Sequence, residues 1–149
     1  MHFSDLADFE ISPFDGPARL IAVGWLESGH DFQCGDVESE FVHKLAELLT
    51  NPWQPFVAMG RHSCSFCRLT GGPNSFRFGN LAASCEVQMG ISKLWLPDDG
   101  IVYVAPSLIL HYIDAHGYSP PVEFREAVIA CPPMRSIDYL KAIRVCCFR

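Results

Sequence analysis

The sequence predicts an α+β domain: a mostly antiparallel sheet, one helix after the first strand, and three helices toward the C-terminus. Three observations lead there. β-rich runs and helical stripes are largely segregated along the chain, where an α/β fold would alternate them. The chain has 149 residues, the usual size of one domain, and neither a linker nor a repeat divides it. Hydrophobic residues make up 49% and charged residues 19%, a globular composition. A chain of this length buries about 70% of the surface its unfolded form exposes, so a core alone can carry the fold. An irregular arm is expected at residues 1–17 and a single α+β domain at 18–149.

Each element follows from its local pattern. Ser12-Pro13 and Asp15-Gly16-Pro17 break up the arm. Ala18 to Leu26 is a short apolar run without a helical stripe and predicts a buried strand, with Gly24 at a bulge or close approach. Asp36 predicts a helix N-cap. Glu38 and Glu40 suit the positive end of the helix dipole, and Val37, Phe41, Leu45, Leu48 and Leu49 share one stripe. His43 lies off that stripe and is expected in solvent. Asn51-Pro52 stops the helix. Phe56 to Gly60, Phe76 to Asn80 and Leu81 to Met89 read as strands or extended segments, with a turn from Gly71 to Asn74. Ile91 to Leu96 and Ile101 to Val104 flank Pro97-Asp98-Asp99-Gly100, and Asp-Gly between β-rich runs predicts a hairpin. The next helix is expected to open at Pro106 and to stop at Gly117. Val122 to about Cys131 forms another, with Phe124, Ala127, Val128 and Cys131 on one face. Pro132-Pro133 ends it, and Ser136 caps a last helix carrying Ile137, Leu140 and Ile143.

Charge and hydropathy narrow the function classes. The formal net charge is -6, with 17 acidic and 11 basic residues, and no Lys/Arg stripe offsets it. Such a chain repels a phosphate backbone, so no nucleic-acid partner is expected. The one basic bias, Lys141 to Arg149, is small. No apolar run reaches the ~18 residues of a membrane helix. Met1 to Phe14 carries Asp5, Asp8 and Glu10 and no basic n-region of Lys or Arg, unlike a signal peptide. A cytoplasmic location without a membrane partner is the expectation. The seven cysteines (Cys34, Cys64, Cys67, Cys85, Cys131, Cys146 and Cys147) are an odd number, against a secreted disulfide framework. In a reducing compartment thiols stay free, bury as small hydrophobes or bind metal. Cys146-Cys147 is expected at a frayed terminus.

Two segments carry the chemistry: His62-Ser-Cys64-Ser-Phe-Cys67 and His111-Tyr-Ile-Asp-Ala-His116. Cys-x-x-Cys offers two thiolates from one tight turn, and His-x4-His matches the second half of a Cys2His2 site. Zinc is the cofactor this set suits, with Cys64, Cys67, His111 and His116 as ligands and His62 as the alternative fourth. On an ideal helix, positions five apart diverge by roughly 140°, so both helix histidines reach one ion only where the last turn loosens, as Gly117 allows. The stretch between Cys67 and His111 is far longer than in a DNA-reading finger. Cys34, Cys85 and Cys131 are isolated and lack ligand spacing; Cys131 reads most simply as a core residue. For His111 the bland alternative is a buried, backbone-bonded histidine. For His116 it is a charge that complements the helix dipole. Phosphate loops, Gly-x-Ser-x-Gly, His-Glu-x-x-His and the zinc deaminase signature are not found.

The Gly24-Trp25-Leu26 run, the His62-x-Cys64-x-x-Cys67 segment and the stretch from Leu94 to Pro132, with its His-Tyr-Ile-x-x-His helix, resemble a group of small uncharacterised bacterial proteins. The resemblance covers about residues 18 to 140. It implies a single cytosolic domain of bacterial type and assigns no catalytic residue. The leading reading is a zinc-binding domain whose metal is structural and which acts through protein or ligand binding. A zinc-dependent hydrolase with one open metal position, using His62 or Glu123 as base, is the first alternative. A metal-free immunity or adaptor protein is the second.

Overall fold

The computed structural model describes residues 2–11, 14–56, 61–79 and 85–148, with the side chain of Cys85 outside that set. The elements are β1 (Arg19–Ala22), α1 (Ser39–Thr50), β2 (Ser75–Phe78), β3 (Cys85–Gln88), β4 (Lys93–Asp98), β5 (Ile101–Pro106), α2 (Ile109–His116), α3 (Val122–Ala130) and α4 (Ile137–Cys147). The class is α+β as expected, with a helix after the first strand and three helices last. Of the expected strands, residues 57–60 and 80–84 lie outside the described residues.

β5 is the centre of a three-stranded sheet. β4 pairs with it antiparallel, from Lys93↔Pro106 to Asp98↔Ile101. The two-residue turn Asp99-Gly100 joins them with φ of 42° and 87°, the left-handed pair that matches strand twist in a hairpin. β1 pairs with β5 in parallel, from Arg19↔Ile101 to Ala22↔Val104, so the sheet is mixed. β2 and β3 form a separate antiparallel pair. α1 packs against β3 and α3, and α4 against β4. Trp95, Tyr112, Tyr118, Phe124 and Tyr139 are fully buried. Tyr139 Oη donates to the Trp95 carbonyl at 2.7 Å, and Trp25 Nε1, also buried, to the Val104 carbonyl at 2.9 Å.

Three boundaries differ from the sequence reading, each for a long-range reason. α1 begins at Ser39, with Glu38 in place of Asp36 as N-cap. Residues 33–35 are held extended beside 117–119, since Gly35 N–H donates to the Gly117 carbonyl and Ser119 N–H to the Gln33 carbonyl. Pro106 ends β5 and does not open α2. The ladder continues past it, with Ser107 N–H donating to the Ser92 carbonyl at 3.0 Å. Cys146 and Cys147 are buried within α4, not frayed. The Cys146 carbonyl accepts from Ala18 N–H just before β1, which locks the helix end to the sheet.

Residues 2–11 run alongside β1. Phe3, Leu6 and Phe9 donate N–H bonds to the carbonyls of Trp25, Ala22 and Leu20, and Asp8 bridges to Ile21. Phe9 is buried, and its ring stacks on Trp25 at 5.1 Å. Among the described residues, no helix is long and apolar enough to cross a membrane.

Candidate metal centre

The segment that carries the thiols is a closed turn. His62 N–H donates to the Gly90 carbonyl at 2.7 Å, which fixes the entry. Cys64 N–H donates to the Gly71 carbonyl at 2.7 Å, and the Cys67 carbonyl accepts from Thr70 at 3.2 Å and Gly71 at 2.7 Å. Ser65 Oγ accepts from Ser28 N–H at 2.8 Å, tying the turn to the segment after β1. Burial pushes the Cys64 thiol up, while backbone N–H groups of Cys67 and Phe66 bond to its sulfur and oppose that shift. Those bonds favour the thiolate, the form that binds metal. Gly72 closes the turn at φ +94°, and a Cβ there would lie 3.0 Å from Cys64 Cβ and 3.6 Å from His111 Nε2.

α2 brings the two imidazoles. Gly117 is left-handed at φ 68°, and the Tyr112 carbonyl accepts from both the Gly117 and Tyr118 N–H groups. Those bonds span five and six residues, so the last turn is wider than an α-helical one. This loosening lets His111 and His116 converge in spite of their spacing. Their rings stand perpendicular, with centroids 4.9 Å apart. Phe66, inside the Cys-x-x-Cys turn, packs on the rings of His116 at 5.1 Å and Tyr112 at 6.1 Å. Burial, and then the neighbouring His116, hold His111 below the usual imidazole range, so its nitrogen lone pair is kept for a ligand.

The donor atoms meet in one place. His111 Nε2 and His116 Nε2 are 3.3 Å apart. Cys67 Sγ lies 3.3 Å from His111 Nε2 and 3.6 Å from His116 Nε2, and Cys64 Sγ is 3.5 Å from His116 Nε2. All four donors lie within 4.8 Å of one another, an arrangement that can hold a metal ion. Cys64 and His111 are buried, and Cys67 and His116 partly so. Among the described residues, no other cluster of His, Cys, Asp or Glu has this geometry.

The other sequence candidates stand apart. His62 is not in the cluster: its ring stacks on Trp25 at 5.6 Å, and its Nδ1 is buried without a hydrogen-bond partner. Burial lowers its pKa. Cys34 is exposed and bridges to Tyr118. Cys131 is buried at the end of α3, where burial pushes its thiol up to about 11. The side chain of Cys85 lies outside the described residues. Glu123 is exposed at the start of α3. Sequence reasoning missed Ser65, Phe66 and Gly72 as parts of the site. Gly71-Gly72 was legible as a turn, but not as the floor beneath Cys64.

A family model described as "Domain of unknown function (DUF7919)" matches residues 1–129. The chain belongs to this family. The family match takes in all four clustered residues and, unlike the resemblance read from sequence, the first 17 residues as well. No curated protein and no solved structure matches the chain.

Proposed function

We propose that this chain is a zinc-binding domain in which Cys64, Cys67, His111 and His116 form a closed structural shell, and that it acts by binding another molecule. The observation that carries the reading is the set of edge lengths between donors. Zinc–sulfur bonds of about 2.3 Å and zinc–nitrogen bonds of about 2.05 Å, set tetrahedrally, give N–N edges of about 3.3 Å and S–N edges of about 3.5 Å. The cluster has 3.3 Å between nitrogens and 3.3 to 3.6 Å along three of its four sulfur–nitrogen edges, with every donor within 4.8 Å of the others. A soft, mixed S2N2 set favours zinc over the harder cations, which prefer oxygen.

A hydrolase needs one corner open for water, and four converging protein donors would fill the corners of a tetrahedron. Of the two bases such an enzyme would use, His62 stacks on Trp25 and Glu123 is exposed in the first turn of α3, and neither belongs to the cluster. These points support a structural metal that pins the 61–72 turn onto the end of α2. The free thiols among the described cysteines are in keeping with a reducing compartment such as the cytoplasm.

Elemental analysis of the purified chain tests the reading. One zinc per chain is expected, falling to a small fraction of that in Cys64→Ser and in His111→Ala. Removing the metal with a chelator is expected to cost about 4 kcal/mol where free zinc had stood a thousandfold above its Kd. That is about 10 °C in Tm for a chain of this size. A metal-free protein with an unchanged Tm after chelator treatment overturns the proposal.

A further inference from the structure

α4 has two apolar faces. Tyr139, Ile143, Cys146 and Cys147 are buried, on the side that packs against β4. At about 100° per residue, the opposite side presents Ile137, Lys141, Arg144, Val145 and Phe148, with Leu140 at its edge. A solvated helix face is ordinarily polar. Here Ile137 is 71% exposed, Val145 75% and Phe148 55%. Trp53, from the segment after α1, stands edge-on to Phe148 at 6.3 Å. Together they make a groove of about 690 Å³ lined by Trp53, Leu140, Ile143, Arg144, Val145 and Phe148. The exposed face spans about 16 Å along the helix axis, or three turns.

We propose that this groove docks an acidic amphipathic helix from a partner protein. The charge at the groove selects the occupant. Arg144 lines the groove, Lys141 is exposed one turn before it, and no acidic residue stands between Tyr139 and Phe148, in a sequence whose net charge is -6. A second copy is the wrong occupant: two such faces pressed together antiparallel set Lys141 against Arg144, and parallel they set Lys141 against Lys141. A lipid surface is flat, whereas a groove lined from Leu140 to Phe148, just over two turns of α4, beside Trp53 suits the ridge of a helix with anchors at i, i+3 and i+7. The inference is independent of the metal reading, because none of these residues belongs to the Cys–His cluster.

Fluorescence anisotropy with the full chain tests it. The probe is a labelled synthetic peptide of roughly 18 residues, with leucines on one stripe, glutamates flanking it and alanines elsewhere to support the helix. Saturable binding that weakens with salt is expected. Val145→Asp and Arg144→Glu, both at exposed positions, should each weaken it about tenfold while the Tm stays at the parent value. No binding, equal binding of a lysine version of the probe, or unchanged binding by both variants overturns the proposal. So does a concentration-dependent dimer in sedimentation that Val145→Asp abolishes, which makes the occupant a second copy. Co-sedimentation with phosphatidylcholine–phosphatidylserine vesicles, lost in Val145→Asp, makes it a membrane and overturns the proposal too.

Discussion

Gly72 shows how closely single atoms constrain the candidate centre. Its φ of +94° is costly for any side chain, and a methyl group there meets Cys64 Cβ at 3.0 Å. Gly72→Ala is therefore expected to destabilise the chain by about 1–3 kcal/mol. Because the displaced atom belongs to one of the four proposed ligands, the same change should also weaken the proposed zinc binding, which competition against a chromogenic chelator measures. The two histidines that sequence spacing left as rivals for the fourth position separate in the same assay. His116→Ala removes a converging nitrogen and should lower zinc affinity at least tenfold. His62→Ala should leave one zinc per chain, because that ring packs on Trp25 and not on the sulfurs. Local spacing made Cys64, Cys67, His111 and His116 legible in the sequence as a cluster, since each pair lies within six residues of chain. The contact that holds His62 outside the cluster was not legible, because Trp25 is distant in sequence and no local pattern announces a stacked pair.

At the scale of elements, α2 is where the site is built. A regular helix would point His111 and His116 apart, and the widened end that brings them together rests on the left-handed Gly117. Nothing lies within 4 Å of a Cβ built at Gly117, so alanine there has room and bears only the conformational cost. Gly117→Ala should lower stability by about 1 kcal/mol, a Tm change of about 2–4 °C. A loss of zinc affinity should accompany it, since straightening the last turn draws His116 away from His111. A thermal melt with and without zinc separates the two effects. Helix stripes and the Asp-Gly hairpin were readable because their information is local. The start of α1 and the start of α2 were not, since each is set by hydrogen bonds to another segment: 33–35 against 117–119, and Ser107 against Ser92.

For the molecule as a whole, the parallel pairing of β1 with β5 and the burial of the α4 end are what the sequence concealed. A parallel partner is reached only through a long crossover, so nothing in either strand names the other. The closure between them is seen in Ala18 N–H bonding to the Cys146 carbonyl. That closure places thiols in the core, and it has a consequence in alkali. Burial pushes Cys131 up from 9.0 to about 11. Burial, and then Cys146, push Cys147 up from 9.0 to about 12. The folded chain thus keeps protons that the unfolded chain has released. Stability from these groups is full below pH 9 and is lost as the pH climbs toward the folded values. Each thiol costs about 1.4 kcal/mol per pH unit within that window. By pH 10 the two together should lower stability by about 3 kcal/mol, and burial of the Tyr139 phenol adds in the same direction at higher pH. Denaturant melts at pH 8, 9 and 10 measure the slope. Cys147→Ala, whatever it costs in packing, removes one of these groups and should make the decline to pH 10 shallower by about 1.4 kcal/mol, while burial of the Cys146 thiol still adds to it. A stability that stays level from pH 8 to pH 10 would mean that these thiols ionise as freely in the folded chain as in the unfolded one, and that α4 does not close over them.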